Sequence, residues 1–399
     1  MRIETPFPGA QLPTICVKKG VFMYLTYALT KHTRYIQTSL FDSILDGVEY
    51  KPPTQKSYTE FQTVKADKIK PTEFNKKQIS NLKKFLSSFA QTAKPFLEEG
   101  VDKHYSSFRI PKATGGFRQI DAPDEPLKRL LSDAKNALQN EIFIRPHNAA
   151  FAYVPERCAK NAIEKHQFNQ SKWFLHLDLK DFFSNCTEDF IHQQLQKIYP
   201  FSEIYKDFSA MKNLQVLISV ALYKGRLPQG TPLSPFLTNI IMIPIDYAIY
   251  ELCKQWKKQH FIYTRYADDI DISSKYDFDY KELIKELNRI LALQSPLQIN
   301  ANKIHYGSNA GRNWHLGLML NQQNEITIGY KRKKEIKAIL MNFCTHRESW
   351  TLNDIQRVLG ELNYFRSIEP DYHDHLIAQY SKKYNGNQDI VLAMRAALV

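Results

Sequence analysis

The chain has little cysteine: five in 399 residues, Cys16, Cys158, Cys186, Cys253 and Cys344. None forms a C-x-x-C pair, which argues against a structural zinc site. An odd, dispersed set suits a reducing cytoplasm. There is no run of about 18 apolar residues, so no membrane span is expected. The opening MRIETPFPGAQ lacks the charged-then-apolar build of a signal peptide. These absences together predict a cytoplasmic protein. Internal repeats and low-complexity tracts are also missing, which excludes solenoid and fibrous classes.

Acidic residues are the minority charge, with 41 Asp and Glu against 54 Lys and Arg, a net +13. With a pI near 9.2, a polyanionic partner fits better than a small neutral substrate. Hydrophobic content of 43% and charged content of 24% are ordinary for a globular protein. The length suffices for two or three subdomains around a sizeable core. The 22 Tyr and 24 Phe can supply stacking platforms for unpaired bases, although core packing claims most of them.

The stretch 261–274, FIYTRYADDIDISS, is the most informative. Two β-rich runs, Phe261–Tyr266 and Ile270–Ser274, flank the short link Ala267-Asp268-Asp269, the pattern of a tight hairpin. Two adjacent carboxylates would repel each other there unless divalent cations share the site. An ordinary polar turn is the plainer reading of Asp-Asp alone. A third carboxylate shifts the balance. In 173–183, WFLHLDLKDFF, Trp173, Leu175, Leu177 and Leu179 alternate with Phe174, His176, Asp178 and Lys180, a strand pattern. Asp178 is then an acid in an otherwise apolar strand, where a carboxylate costs several kcal/mol, by rough estimate, unless paired. Backbone amides or an Arg could pair with it, and so could a metal. Asp178, Asp268 and Asp269 together suggest a carboxylate cage for two Mg²⁺ ions, in which one activates an attacking hydroxyl and the other stabilises a leaving pyrophosphate.

With these residues in view, the sequence resembles a reverse transcriptase of the prokaryotic kind found in retrons, group II introns and phage-defence systems. Tyr266-Ala267-Asp268-Asp269 matches the family's Tyr-x-Asp-Asp box, and Asp178 its upstream catalytic Asp. Phe183, five residues on, falls where the family keeps an aromatic gate against the ribose 2′-OH. In 226–239, RLPQGTPLSPFLTN, Gln229 would line the nucleotide pocket and Gly230 would let backbone approach a ligand closely. The apolar run Phe236–Tyr250 reads as a helix. Tyr105–Leu131 resembles the fingers hairpin, turning at Gly115-Gly116, with Lys112 and Arg118 at the positions that grip triphosphate. Asn302-Lys303 resembles a motif with a Lys near the leaving phosphate, where Lys303 would be a general acid. Trp314–Asn321 resembles the primer grip, with Leu316 and Gly317 near the primer end.

The resemblance implies an α+β right-hand polymerase fold: an N-terminal extension at 1–95, fingers at 96–172, a palm at 173–330 with helices around 187–224, and a helical thumb at 331–399. Within the extension, 21–47 and 71–96 read as helical and 51–70 as a linker. Lys331-Arg332-Lys333-Lys334 would form a basic edge toward a nucleic-acid duplex. The 69 residues after 330 are fewer than the roughly 100 of a separate domain, so no fused RNase H, endonuclease or long maturase segment is expected. Two elements depart from the retron pattern. Asn161-Ala162 is followed by His166 one residue late, and His315-Leu316-Gly317 stands where retrons carry Val-Thr-Gly. This wording leans toward intron-type and unclassified defence enzymes, and His166 reads as a helix-surface or satisfied, partly buried histidine.

The expected function is RNA-directed DNA synthesis from dNTPs on an RNA template, expected to be a dedicated noncoding RNA, in antiphage defence, with an accessory protein or homo-oligomer as an open partner. Three alternatives stand beside it: a retron-type msDNA-synthesising enzyme, an RNA-binding scaffold that keeps the fold, and an RNA-dependent RNA polymerase. Phe183 argues against the last.

Overall fold

A computed structural model of the chain describes residues 27–30, 33–36, 73–111, 115–311, 314–384 and 388–398. β1 (Tyr27–Thr30) pairs antiparallel with β2 (Thr33–Ile36). The helix read over 21–47 is therefore wrong at these positions. Thr, Tyr and Ile favour extended backbone, and the two strands are joined by only two residues. The rest of 21–47 and the 51–70 linker lie outside the described residues.

α1 (Glu73–Glu99) follows its apolar stripe, burying Leu82, Leu86, Phe89 and Ala93. β3 (Tyr105–Pro111) and β4 (Phe117–Pro123) form a two-stranded hairpin. Gly115 and Gly116 both have positive φ, at 89° and 79°, so glycine is required there. α2 (Glu125–Asn136) starts at Asp124, whose carboxylate accepts the Leu127 amide hydrogen, an N-cap. Next come α3 (Ala159–Phe168), β5 (Trp173–Asp178), α4 (Glu188–Leu195), α5 (Phe201–Ile204) and α6 (Phe208–Ala221).

The apolar run 236–250 is two helices, not one: α7 (Ser234–Ile241) and α8 (Ile243–Gln255), bent by 45°. Pro244, in the first turn of α8, has no N–H to continue the α7 ladder. Residues 236–249 are all buried. Among the described residues no single helix is long and apolar enough to cross a membrane.

A four-stranded antiparallel sheet of order β6-β7-β5-β8 is central, built from β6 (Ile262–Tyr266), β7 (Asp269–Ser274), β5 and β8 (His305–Ser308). α9 (Tyr280–Gln294) connects β7 to β8. β9 (Trp314–His315), β10 (Leu318–Leu320) and β11 (Ile326–Thr327) form a small sheet. α10 (Gly329–Thr345), α11 (Leu352–Ile368), α12 (Pro370–Ser381) and α13 (Ile390–Ala396) complete an α+β chain.

Two hydrophobic cores meet at β5. Leu175 and Leu177 join the larger core with α1, α2 and α4–α9. Phe174, on the opposite face, joins Ile163, Leu318, Leu320 and the apolar stripes of α10–α13. Covering both faces leaves the end of β5 as the place where its polar residue can open to a cleft.

Candidate active site

The sheet register brings the three aspartates together. β5 and β7 run antiparallel with Asp178 opposite Asp269, Leu177 opposite Ile270 and His176 opposite Asp271. Directly opposed residues share a face, with Cα atoms about 5 Å apart. Tyr266 pairs with Asp269 across β6 and β7, leaving a two-residue turn of Ala267 and Asp268. Asp269 is thus the first residue of β7 rather than part of the link. Ala267 takes the left-handed conformation, φ 58°. The Leu179 amide donates to the Asp268 carbonyl at 3.0 Å, and the Asn300 amide to the Asp178 carbonyl at 2.8 Å. The end of β5, the β6–β7 turn and the Asn300–Lys303 segment therefore converge.

The site is crowded with negative charge. Burial pushes the Asp269 carboxyl up to about 6; the His176 ring draws it down, while Asp268, Asp271 and Asp178 push it further up. Burial, followed by the charge of Asp178, also raises Asp268, against the pull of its own backbone amide, Lys303 and Arg118. Lys303 Nζ donates to Asp178 Oδ1 at 2.6 Å, and Asn300 Nδ2 to Oδ2 at 3.4 Å. The Lys303–Asp178 hydrogen bond raises the Lys303 ammonium pKa. His176 lies 2.8 Å from Asp271 through Nδ1 and 3.5 Å from Asp269 through Nε2. Burial opposes its charged form, but the carboxylates outweigh this and its pKa is raised.

Among the described residues no three His, Cys, Asp or Glu side chains stand as a preformed metal cage. Asp178 is turned to Lys303 and Asp269 to His176. The donor set nevertheless fits a hard divalent cation: it is all carboxylate oxygen, crowded enough to raise two of the pKa values, and it already draws in an ammonium.

The other residues singled out from sequence surround this corner unevenly. Arg118 is exposed on β4, and its charge is felt at Asp268. Lys112 lies outside the described residues. Phe182 and Phe183 are both buried, 3% and 9% exposed, with rings 5.6 Å apart edge to face. The Gln229 carbonyl accepts the Asp121 amide hydrogen at 2.7 Å. A Cβ on Gly230 would lie 2.9 Å from the Asp121 carbonyl oxygen and from Ile120 Cγ2. The close approach expected there is thus to β4, latching the Gln229 loop to the β3–β4 hairpin. Leu316 and Gly317 form the β9–β10 turn with φ 54° and 80°. Of the basic run, Lys331, Arg332 and Lys334 are exposed. Lys333 pairs with Glu369 at 2.5 Å and Arg332 with Glu361 at 3.7 Å. His166 is a satisfied buried histidine, bonded to Ser273 Oγ at 2.6 Å and Thr264 Oγ1 at 2.8 Å.

Some residues near the site escaped the sequence reading. His176 had a signal, since it shares the Asp178 face two residues earlier. Tyr153 had none: it is 53% exposed, has φ 59°, and stands within electrostatic reach of Asp268, Tyr266 and Arg118. It also lines a cavity of about 430 Å³ with Arg145, Arg157 and Asn239.

The family described as reverse transcriptase (RNA-dependent DNA polymerase) matches residues 110–338. The chain is 30% identical over 296 residues to the retron Ec83 reverse transcriptase of Escherichia coli, covering 70% of this chain and 88% of that protein. It is 25% identical over 287 residues to the retron Ec73 reverse transcriptase of Escherichia coli, covering 70% and 88%. For the retron Ec86 reverse transcriptase of the same organism the values are 28% over 284 residues, 68% and 79%. These relatives correct the lean away from retrons. The late His166 still fills a buried polar slot, and His315-Leu316-Gly317 still forms a tight turn. The chain belongs to the reverse transcriptases, as an RNA-directed DNA polymerase of the prokaryotic retron type.

Proposed function

We propose that Asp178, Asp268 and Asp269 hold two Mg²⁺ ions and form the polymerising centre. The observation that carries this reading is the β5–β7 register, which sets Asp178 opposite Asp269 beside a two-residue turn ending in Asp268. Magnesium, when bound, supplies the charge that activates a primer hydroxyl and stabilises pyrophosphate. The chain does the positioning. Arg118 and Lys112 grip the triphosphate, Gln229 lines the base pocket, and Tyr266 flanks the primer end. Phe183 closes the pocket toward the sugar and rejects a 2′-OH. Lys303, freed from Asp178, holds a proton for the leaving pyrophosphate oxygen. Leu316 and Gly317 support the primer, while Lys331 and Lys334 meet duplex phosphates, with Arg332 and Lys333 fixing that helix edge.

In this reading residues 96–172 act as fingers, 173–330 as palm, 331–399 as thumb and 1–95 as an extension. The template is a dedicated noncoding RNA copied in the bacterial cytoplasm, and the role is defence against phage; that last step rests on family analogy. The test is incorporation of dNTPs on a primed RNA with Mg²⁺. Asp268→Ala should abolish synthesis, by roughly a thousand-fold or more, with the thermal midpoint little changed. Unchanged synthesis would remove the metal assignment. Folded wild-type protein with its native RNA and no incorporation would remove the reading as a whole.

A further inference from the structure

Arg265 is among the largest fully buried side chains of the protein, at 0% exposure. It immediately precedes Tyr266 at the end of β6. Its partner Asp246, on α8, is equally buried. Arg265 Nε donates to Asp246 Oδ1 at 2.7 Å and Nη2 to Oδ2 at 2.8 Å, a bidentate fork. The Tyr263 hydroxyl donates to the same Oδ1 at 2.6 Å. That pair already neutralises the charge. The remaining nitrogen does something else: Nη1 donates to Asn239 Oδ1 at 3.1 Å and to the Ala267 carbonyl at 3.0 Å.

From this geometry we infer that Arg265 is a positioning residue for Asp268; the inference rests on the polymerase reading above. Asp268 lies between two peptide groups. The preceding one is held through the Ala267 carbonyl by Arg265, and the following one through the Asp268 carbonyl by Leu179 N–H at 3.0 Å. With both peptide planes pinned, φ and ψ of Asp268 are set, and with them the direction in which its Cβ leaves the backbone. Without such a clamp, left-handed Ala267 would relax, because an L-residue with a Cβ loses about 1 kcal/mol or more there.

The clamp also reaches toward the substrate side. Asn239 Nδ2 donates to the Ala152 carbonyl at 2.7 Å. The Arg265 main chain bonds the Ala149 carbonyl at 2.6 Å and the Phe151 amide at 2.8 Å. Residues 149–152, next to Tyr153, therefore share one rigid frame with the catalytic turn and with α7, the helix entered from the Gln229 loop.

Two variants test this. Arg265→Lys keeps a charge near Asp246 but cannot form the fork and reach Ala267 together. The double variant Arg265→Met with Asp246→Leu replaces the buried pair by apolar side chains, a change that often preserves folding. The first readout is amide hydrogen exchange in the metal-free protein. Peptides spanning Ala267–Asp269 should exchange about tenfold faster, while α1 and α11 stay within about twofold. The second is steady-state kinetics: kcat should fall about ten- to a hundred-fold, with the KM for dNTP within about threefold of wild type.

Unchanged local exchange in folded variants overturns the inference. So does faster exchange with unchanged kcat, or a kcat loss that only follows the folded fraction. If neither variant folds, Arg265 is a folding determinant and the positioning role falls. An inactive wild type counts against the polymerase reading instead, whereas an active wild type matched by Arg265→Lys counts against this inference alone.

Discussion

Asp269 is where the electrostatics of the site is most exposed to experiment. Its carboxyl is raised from an ordinary 3.8 to about 6 in the folded chain. A raised value means that the folded state holds the proton more tightly than the unfolded state does. The stability this group contributes is present in full below about pH 4 and is lost as pH rises through about 6. In the metal-free protein the anionic site is thus a source of instability at neutral pH. Magnesium should relieve it there and compete with protons below pH 6. Thermal melts with and without Mg²⁺ should show a larger upward shift at pH 7.5 than at pH 5.5; equal shifts would disprove this. Phe183 makes a second prediction. Because it is nearly buried, truncation to Ala would cost about 3 kcal/mol of packing and blur the result. Phe183→Val keeps more of the contact and should raise ribonucleotide over deoxynucleotide use by about tenfold or more, measured as the ratio of kcat/KM values. At this scale the acids were legible in sequence, because a carboxylate is conspicuous in an apolar strand or a hairpin turn. Arg265 and Tyr153 were not, since a strand Arg and a loop Tyr carry no pattern until their neighbours are known.

Among the elements, the β6–β7 hairpin was readable because aromatic and β-branched runs flank a two-residue turn. The β1–β2 hairpin was misread, since Tyr, Leu, Ile and Phe at mixed spacing satisfy a helical template as well as a strand. The α7–α8 break was hidden by uninterrupted apolarity, although Pro244 marks it. β5 is the element on which both cores and the site depend. Leu177→Ala there, at 0% exposure, should cost about 2–5 kcal/mol in denaturant unfolding, and a change under about 1 kcal/mol would refute its place in the larger core. The β9–β10 turn is constrained by backbone alone: Gly317 has φ 80°, and a methyl group added to it would meet only open space. Gly317→Val should lower stability by about 1–2 kcal/mol, and an unchanged melting temperature would show that the turn relaxes.

For the molecule as a whole, the net charge of +13 predicts RNA binding that weakens steeply with salt. The structure divides the basic run at 331–334 by how its members are tied to the rest of the chain. Lys331 and Lys334 face outward, whereas Lys333 is tied to Glu369, which also accepts from Thr327 and from the Ile328 amide. Replacing Lys331 and Lys334 by Ala should therefore reduce the slope of log affinity against log salt by about 1.5. Lys333→Ala should change stability more than slope. Equal slopes for all three would place the duplex elsewhere.

Local chemistry along the chain was enough to mark the acids, the turns, the apolar stripes and the basic balance, because each depends on residue type and short-range spacing. Register, shared cores and the latch between Gly230 and β4 depend on pairings between residues many positions apart. No short-range pattern encodes those pairings. Only in the folded sheet does Asp178 come to face Asp269, and only there does a buried guanidinium reach back to hold the turn that leads into Asp269.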